Sequence, residues 1–415
     1  MADQALSSLT NFVIGFLAAR GLSQSEFGAF AVVFAVFLIG LGVTRAINSE
    51  PFVIRYSAVS ADRWRHGATW ATGTALAVGA LGGVACLVAG IIAGGALGSG
   101  LVAVGVALPG LMLQDTWRFT FFAARRGRSA FTNDAAWVLA LAAGVALLAV
   151  ADSWSVGSLV LAWGGAGTLA GVIGILQAGV VPTPNRSLDW LRDQRDLAPR
   201  FLGEFTVTTL VSQITVFGLG ILAGLADVGA LRAGTLLLGP LNVLFLGVGI
   251  VAVPEGVRAL VSAKEKLLRV CRRLSITLAS FALAFGTAMW LLPDRIGVAL
   301  IRENWHAGHS VIIPLTLVVA FSGILLGAGI GLRSLAAAKL SFRARLLVAP
   351  ISLVAGLGGA VLAGAVGAAW GMAFAFVVGA IIWWRYFLKG LRAHVVGPPD
   401  ERAATDVYPV IHGDA

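Results

Sequence analysis

Apolar residues run through this chain in long blocks separated by short polar punctuation. Twelve blocks are long enough to be read as helices crossing a bilayer, near residues 5–20, 27–47, 68–94, 99–123, 132–150, 156–178, 201–225, 229–252, 274–293, 308–332, 346–364 and 366–388. A helix needs about 20 mostly apolar residues to cross the hydrocarbon, because every backbone N–H and C=O must there be satisfied without water. Spans 3 and 4, and spans 11 and 12, are joined by short Gly- and Ala-rich turns, which predicts two tight antiparallel hairpins.

The polar positions inside the blocks are few and patterned. Span 7 carries Glu204, Thr208, Ser212 and Thr215 on one helical face, with Gln213 beside it, and span 1 carries Asp3, Ser7 and Asn11 on the corresponding face. Such a stripe faces protein or a wet cavity and not lipid. Interhelical hydrogen bonding by Ser and Thr is one reading, and a cavity wall is the other. Span 4 contains Gln114-Asp115-Thr116-Trp117-Arg118, where Asp115 and Arg118 pair at i, i+3 and serve either packing or a pathway. Span 8 begins with Asp227 and Arg232 and contains Gly239-Pro240-Leu241-Asn242 near its middle. Pro240 removes a backbone donor and clashes with the preceding turn, so Gly239 and Pro240 are the expected hinge. Asp115, Glu204, Ser212, Gln213 and Asn242 are the candidates for cavity lining or ion coupling.

The second half restarts the first. Ser212, Thr215, Phe217, Gly220, Leu222 and Ala223 repeat Ser7, Thr10, Phe12, Gly15, Leu17 and Ala18 at a fixed offset, and Gly229-Ala230 and Pro254 follow as Gly28-Ala29 and Pro51 do. The expected fold is an all-α polytopic membrane protein with 12 transmembrane helices in two six-helix lobes, 1–190 and 191–390. A tail over 391–415 follows, and a pseudo-two-fold axis along the membrane normal relates the halves.

Composition agrees with a bilayer. Hydrophobic residues make up 58% and charged residues 12% of the chain, where a soluble domain would have roughly 25% charged. Of the 30 Lys and Arg, 26 fall in the connections after even-numbered spans or in the tail; Arg20, Arg232, Arg295 and Arg302 fall on the other side. The positive-inside rule then puts both termini in the cytoplasm. This asymmetry also accounts for the net charge of +10 without nucleic acid, for which no binding module is visible.

Catalytic and cofactor chemistry find little support. Cys86 lies in mid-span and Cys271 on the cytoplasmic rim, too far apart for a disulfide, and His66, His306, His309, His394 and His412 are scattered without a metal-binding pattern. No phosphate-binding loop occurs, so ATP hydrolysis of that kind is excluded. The outer loops lack the paired carboxylates that a membrane glycosyltransferase or ligase would need. The chain is therefore expected to be no enzyme and to need no cofactor. Span 1 has roughly 16 residues, about 24 Å, which fits either a helix that begins upstream of Met1 or a short, tilted one. Trp64, Trp154, Trp190, Trp305, Trp383 and Trp384 lie near span ends, as interface anchors do. Glycine pairs such as Gly79/Gly83 and Gly90/Gly94 point to close helix packing.

Asp3 through Asn11, Ala19-Arg20, Glu26-Phe27-Gly28, Gln114-Asp115-Thr-Trp-Arg118 with Arg126-Gly127-Arg128, and Asp134 resemble polysaccharide flippases of the multidrug/oligosaccharidyl-lipid/polysaccharide exporter superfamily. Gly229-Ala-Leu-Arg-Ala233 and Leu238-Gly-Pro-Leu-Asn242 are similar to the same group, particularly its actinobacterial members. The resemblance implies a V-shaped pair of lobes around a central cavity. It also implies alternating access that carries a lipid-linked oligosaccharide or polysaccharide precursor across the bacterial cytoplasmic membrane. The substrate would be a prenyl-diphosphate-linked glycan drawn from membrane lipid, and the partner class would be a polysaccharide polymerase or ligase. By position, the cavity cations would be Arg20, Arg45, Arg118 and Arg232, since guanidinium pairs bidentately with phosphate oxygens. A cation-coupled small-molecule (multidrug) antiporter is the alternative.

Overall fold

Each apolar block folds as a helix, and glycines at positive φ, Gly94, Gly179, Gly224 and Gly364, mark several of the ends. The computed structural model describes residues 2–394. The first half comprises α1 (Ala2–Gly21), α2 (Gln24–Tyr56), α3 (Ala61–Ala93), α4 (Gly95–Ala123), α5 (Gly127–Val150) and α6 (Val156–Ala178). The second comprises α7 (198–222), α8 (225–262), α9 (Lys264–Trp290), α10 (Ile312–Ser334), α11 (338–362) and α12 (365–393). The protein is an all-helical, multi-pass membrane protein with 12 helices in two six-helix lobes. Among the described residues eight helices qualify as spans by length and hydropathy, and one of these is the 56-residue run that turns at Ala363 and Gly364 and contains both α11 and α12. The side chains of Asp3, Ser7 and Thr208, and the tail from 395 onward with Arg402 and His412, lie outside the described residues.

Capping fixes the ends. The Ser23 N–H and hydroxyl both donate to Glu26 Oε2, at 3.0 and 2.7 Å, which starts α2. The two expected hairpins turn on residues that only glycine adopts easily: Gly94 at φ +62° and Gly364 at φ +55°. Several helices outrun their apolar blocks. α3 begins at Ala61 and α9 at Lys264, because hydropathy marks the hydrocarbon while backbone hydrogen bonding continues through the charged rim.

Small residues let backbones meet. A Cβ on Gly79 would strike Pro109, and one on Gly83 would strike the Gly105 carbonyl, so α3 and α4 touch along the predicted glycine face. The tryptophans depart from expectation in part. Trp64, Trp190 and Trp305 are buried, donating to the Thr120 carbonyl, the Ile47 carbonyl and Asp294 Oδ1. Their indoles fill the ends of the lobes, where a large ring with one donor can cover a helix terminus and satisfy its own N–H. Trp190 sits on Ser187–Asp193 and packs on Phe52 and Tyr56, so that short helix belongs to the first lobe.

The lobes meet through a reciprocal contact. Gly28 of α2 abuts the Leu225 carbonyl of α8, and Gly229 of α8 abuts the Gln24 carbonyl of α2. Contact of residue i with j′ and of i′ with j is what a two-fold relation produces. It lies at the cation-poor end of both helices, where Gln24 Nε2 also donates to the Ala226 carbonyl at 2.9 Å.

Candidate functional site

Three groups of ionisable residues bear on function. The first is buried within the first lobe. Arg118 of α4 holds Asp134 of α5 through two bonds of 2.9 Å, and its own helix neighbour Asp115 stands at 3.4 Å. Gln114 Nε2 donates to Asp134 at 2.7 Å, and Asn133 Nδ2 donates to the Ala170 carbonyl and Gln177 on α6. Asp115 also receives a bidentate contact from Arg45 of α2, at 2.9 and 2.7 Å. Paired charges thereby tie α2, α4 and α5 together, and the Asn133 amide adds α6; pairing is the condition for tolerating charge in hydrocarbon.

The second group closes the cation-poor end. Arg20, at the end of α1, donates to the Ala299 and Leu300 carbonyls at 2.7 and 3.3 Å. Those carbonyls end the short helix Asp294–Ile301. Asn304, on the next short helix Asn304–Ser310, donates back to the Ala19 and Leu22 carbonyls at 2.9 and 2.8 Å. The 291–311 connection of the second lobe therefore straps the end of α1. Beneath it lies Arg232 of α8. Its guanidinium stands 5.3 Å from the centre of the Phe34 ring, and Nε is enclosed without a hydrogen-bond partner. One of its amino nitrogens is 3.9 Å from the position a Cβ on Gly15 would take. The enclosed Asn11 Oδ1, one turn earlier on α1, is also without a partner. The other candidates for pairing with Arg232 are engaged elsewhere: Glu26 caps α2, and Asp227 Oδ1 accepts the Ala365 N–H that opens α12, at 2.5 Å.

The third group faces open space at the cation-rich end. An interlobe cleft of about 270 Å³ is lined by Arg45, Glu50, Glu204 and Phe205. Two π-helical segments flank it, Arg45–Ser49 in α2 and Thr206–Leu210 in α7, a distortion frequent at functional sites. The cleft adjoins, through Glu204, a cavity of about 700 Å³ inside the second lobe, lined by Arg200, Arg333, Arg345, Ser341 and Trp383. Sharing Arg345 and Trp383 with it, an adjoining chamber of about 460 Å³ is walled by Val211, Ser212, Thr215, Val348 and Phe376.

The sequence-predicted residues are thus spread across three places. Arg45, Glu204, Ser212 and Thr215 face cavities. Gln213 donates to the Ser212 hydroxyl at 3.1 Å, and Asn242 is exposed. Arg118 and Asp115 are about 4% exposed and are held within the first lobe, away from cavity surface. Arg20 is bound to carbonyls of the strap. Gly239 and Pro240 follow a break at Leu238, φ −87° and ψ +1°, which splits α8 into 225–237 and Gly239–Ser262. In the sequence Arg345 is one of the 26 cations of the even-numbered connections and Trp383 one of the span-end tryptophans, and neither stands out there as a cavity residue. A signal was present: Ser341, Arg345 and Ser352 share one face of α11 at spacings of four and seven.

No known family profile and no curated protein sequence matches the chain. Solved structures do. The chain is similar to lipid II flippase MurJ in an inward closed conformation, at 13% identity over 94% of this chain and 89% of that one, with a TM-score of 0.70. It is similar to an inward-facing multidrug resistance MATE transporter of the MOP superfamily, at 13% identity over 93% and 94% of the two chains, with a TM-score of 0.69. An outward-facing MATE structure scores 0.51 at the same identity, over 94% and 93%. The fold is that of these structures.

Proposed function

We propose that this protein is a flippase that carries a lipid-linked oligosaccharide or polysaccharide precursor across the bacterial cytoplasmic membrane by alternating access. The reading rests on the fold and, within it, on Arg232. This guanidinium sits at the junction of α1, α2 and α8, at the closed end, with no ion pair among the described residues. A lone charge at that depth is costly unless an anion visits it, and a diphosphate is the bidentate partner that guanidinium favours. The 26-to-4 division of cations supports assigning the open, cation-rich end and both termini to the cytoplasm. The substrate then enters from that side, from membrane lipid. Arg45 meets it in the cleft and Arg232 at the closed end; Arg118 holds Asp115, which aims Arg45. Arg20 exchanges its carbonyl partners for substrate when the strap leaves. A polymerase or ligase would receive the delivered glycan.

The antiporter reading is favoured by one observation: Glu50 and Glu204 share the interlobe cleft, where two carboxylates would suit proton or sodium coupling. The two readings part at Arg232. For the flippase, Arg232→Lys lowers surface glycan yield at matched protein levels by about tenfold, because an ammonium cannot form the bidentate contact. Arg232→Gln lowers it further, and Arg20→Gln added to it abolishes export. Wild-type yield from the double variant would reject the flippase; loss of drug extrusion in Glu204→Gln would install the antiporter in its place.

A further inference from the structure

Three further arginines of the second lobe belong neither to the first lobe's ion pairs nor to the Arg232 position. Arg200 at the start of α7, Arg333 at the end of α10 and Arg345 in the second turn of α11 converge on one cavity. Arg200 and Arg333 are exposed, and their side chains make no ion pair with a described residue. Among the described residues Arg345 pairs with Glu204, at 3.8 Å, and it lies 6.0 Å from the centre of the Trp383 ring. Three guanidiniums against one carboxylate leave the cavity net positive. Ser341 and Ser322 add hydroxyls to its wall.

What lies behind this mouth has the opposite character. Next to Arg345 and Trp383 the chamber wall is mainly apolar, with four valines, Leu231, Met372 and Phe376, and its polar groups are the hydroxyls of Ser212, Thr215 and Ser352. From Arg200 to Thr215 along α7 the two compartments extend about 22 Å at 1.5 Å per residue. A free phosphate would leave the inner compartment empty, and a neutral apolar molecule would leave the guanidiniums unanswered. We infer that the cavity of Arg200, Arg333 and Arg345, with the apolar chamber behind Trp383, is a binding site for a phosphate-headed lipid. It is distinct from the Arg232 position and is occupied before the interlobe cleft. The head engages the arginines by charge-assisted hydrogen bonds and the chain enters between α7, α11 and α12. The site deepens the flippase reading and rests on it for the identity of the lipid. Glu204, shared by this cavity and the cleft that holds Arg45, is the point where the head passes from one to the other.

The test is calorimetric binding to the full-length protein in detergent, with farnesyl diphosphate, inorganic diphosphate and farnesol as probes. Farnesyl diphosphate binds best, inorganic diphosphate competes weakly, and farnesol does not bind measurably. Arg200→Gln/Arg333→Gln, two exposed positions that leave folding intact, weakens farnesyl diphosphate by about tenfold or more. Arg345→Gln does the same and Arg345→Lys restores part of the loss. Ala349→Phe, which fills the chamber, removes the advantage of farnesyl diphosphate over inorganic diphosphate and leaves the latter unchanged. Unaltered farnesyl diphosphate affinity in the double variant overturns the site, as does equal binding of farnesol. Equal affinity for inorganic diphosphate overturns the lipid assignment and leaves a simple anion site. Binding that follows these variants, in a protein that moves no lipid-linked sugar in proteoliposomes, would keep the site and reject the flippase reading.

Discussion

Asp134 illustrates how a single residue is valued in this protein. It is about 2% exposed, and one amino nitrogen of Arg118, itself 4% exposed, donates to both of its oxygens. Removing one member of a buried pair strands the other, at a cost of about 3–5 kcal/mol. Asp134→Asn is therefore expected to lower the melting temperature of the detergent-solubilised protein sharply. Replacing both Arg118 and Asp134 by leucine is expected to recover part of the loss, and a double variant no better than the single one would refute the pairing account. At the rim, Arg258 and Glu255 pair at 2.6 Å but are 73% and 57% exposed. Such a pair contributes about 0–1 kcal/mol, so Glu255→Ala leaves the melting temperature within error. The sequence exposed the Asp115–Arg118 spacing but not the stronger bond to Asp134, because that partner arrives from another helix.

At the scale of the element, interruptions matter more than length. Pro240 lies in the first turn after the Leu238 break, and the missing N–H suits a helix start better than a helix interior. Pro240→Ala lets α8 run on as one rod, and the expected outcome is reduced transport at nearly unchanged protein abundance. Equal turnover would make the bend a packing feature. Proline made this break readable in the sequence. The π-helical segments Arg45–Ser49 and Thr206–Leu210 contain no such marker. An extra residue in a turn is set by what the helix packs against; here a Cβ on Gly42 would strike the Phe205 ring across the cleft.

For the whole molecule, the state is set by where the lobes touch. Gly28 and Gly229 bring α2 and α8 together at the cation-poor end, and packed interfaces are bistable and do not deform continuously. Gly28→Val puts a side chain where the Leu225 carbonyl stands, so the lobes part there. The measurement is crosslinking of a cysteine pair at Gln24 and Ala226, which face each other at 2.9 Å through the glutamine side chain. The native Cys86 and Cys271 are buried and do not interfere. Crosslinking falls in the Gly28→Val background, and the crosslinked wild-type pair stops transport. A yield indifferent to the valine would show that this contact does not hold the state.

The sequence alone determined the bilayer, the helical spans, their hairpin turns, the charge asymmetry and the repeat of the halves, because each follows from local composition or spacing. Hydrocarbon forces a backbone to satisfy itself within about 20 residues, so a window of that length suffices to read it. Only the tertiary structure decided which arginines reach open space. Arg118 looks like Arg345 in one dimension, yet Asp134 of another helix encloses the first, while Arg345 opens on a cavity. A charge takes its role from the nearest opposite charge or dipole in space, and in a twelve-helix protein that partner comes from another helix, at a distance along the chain that no spacing rule encodes.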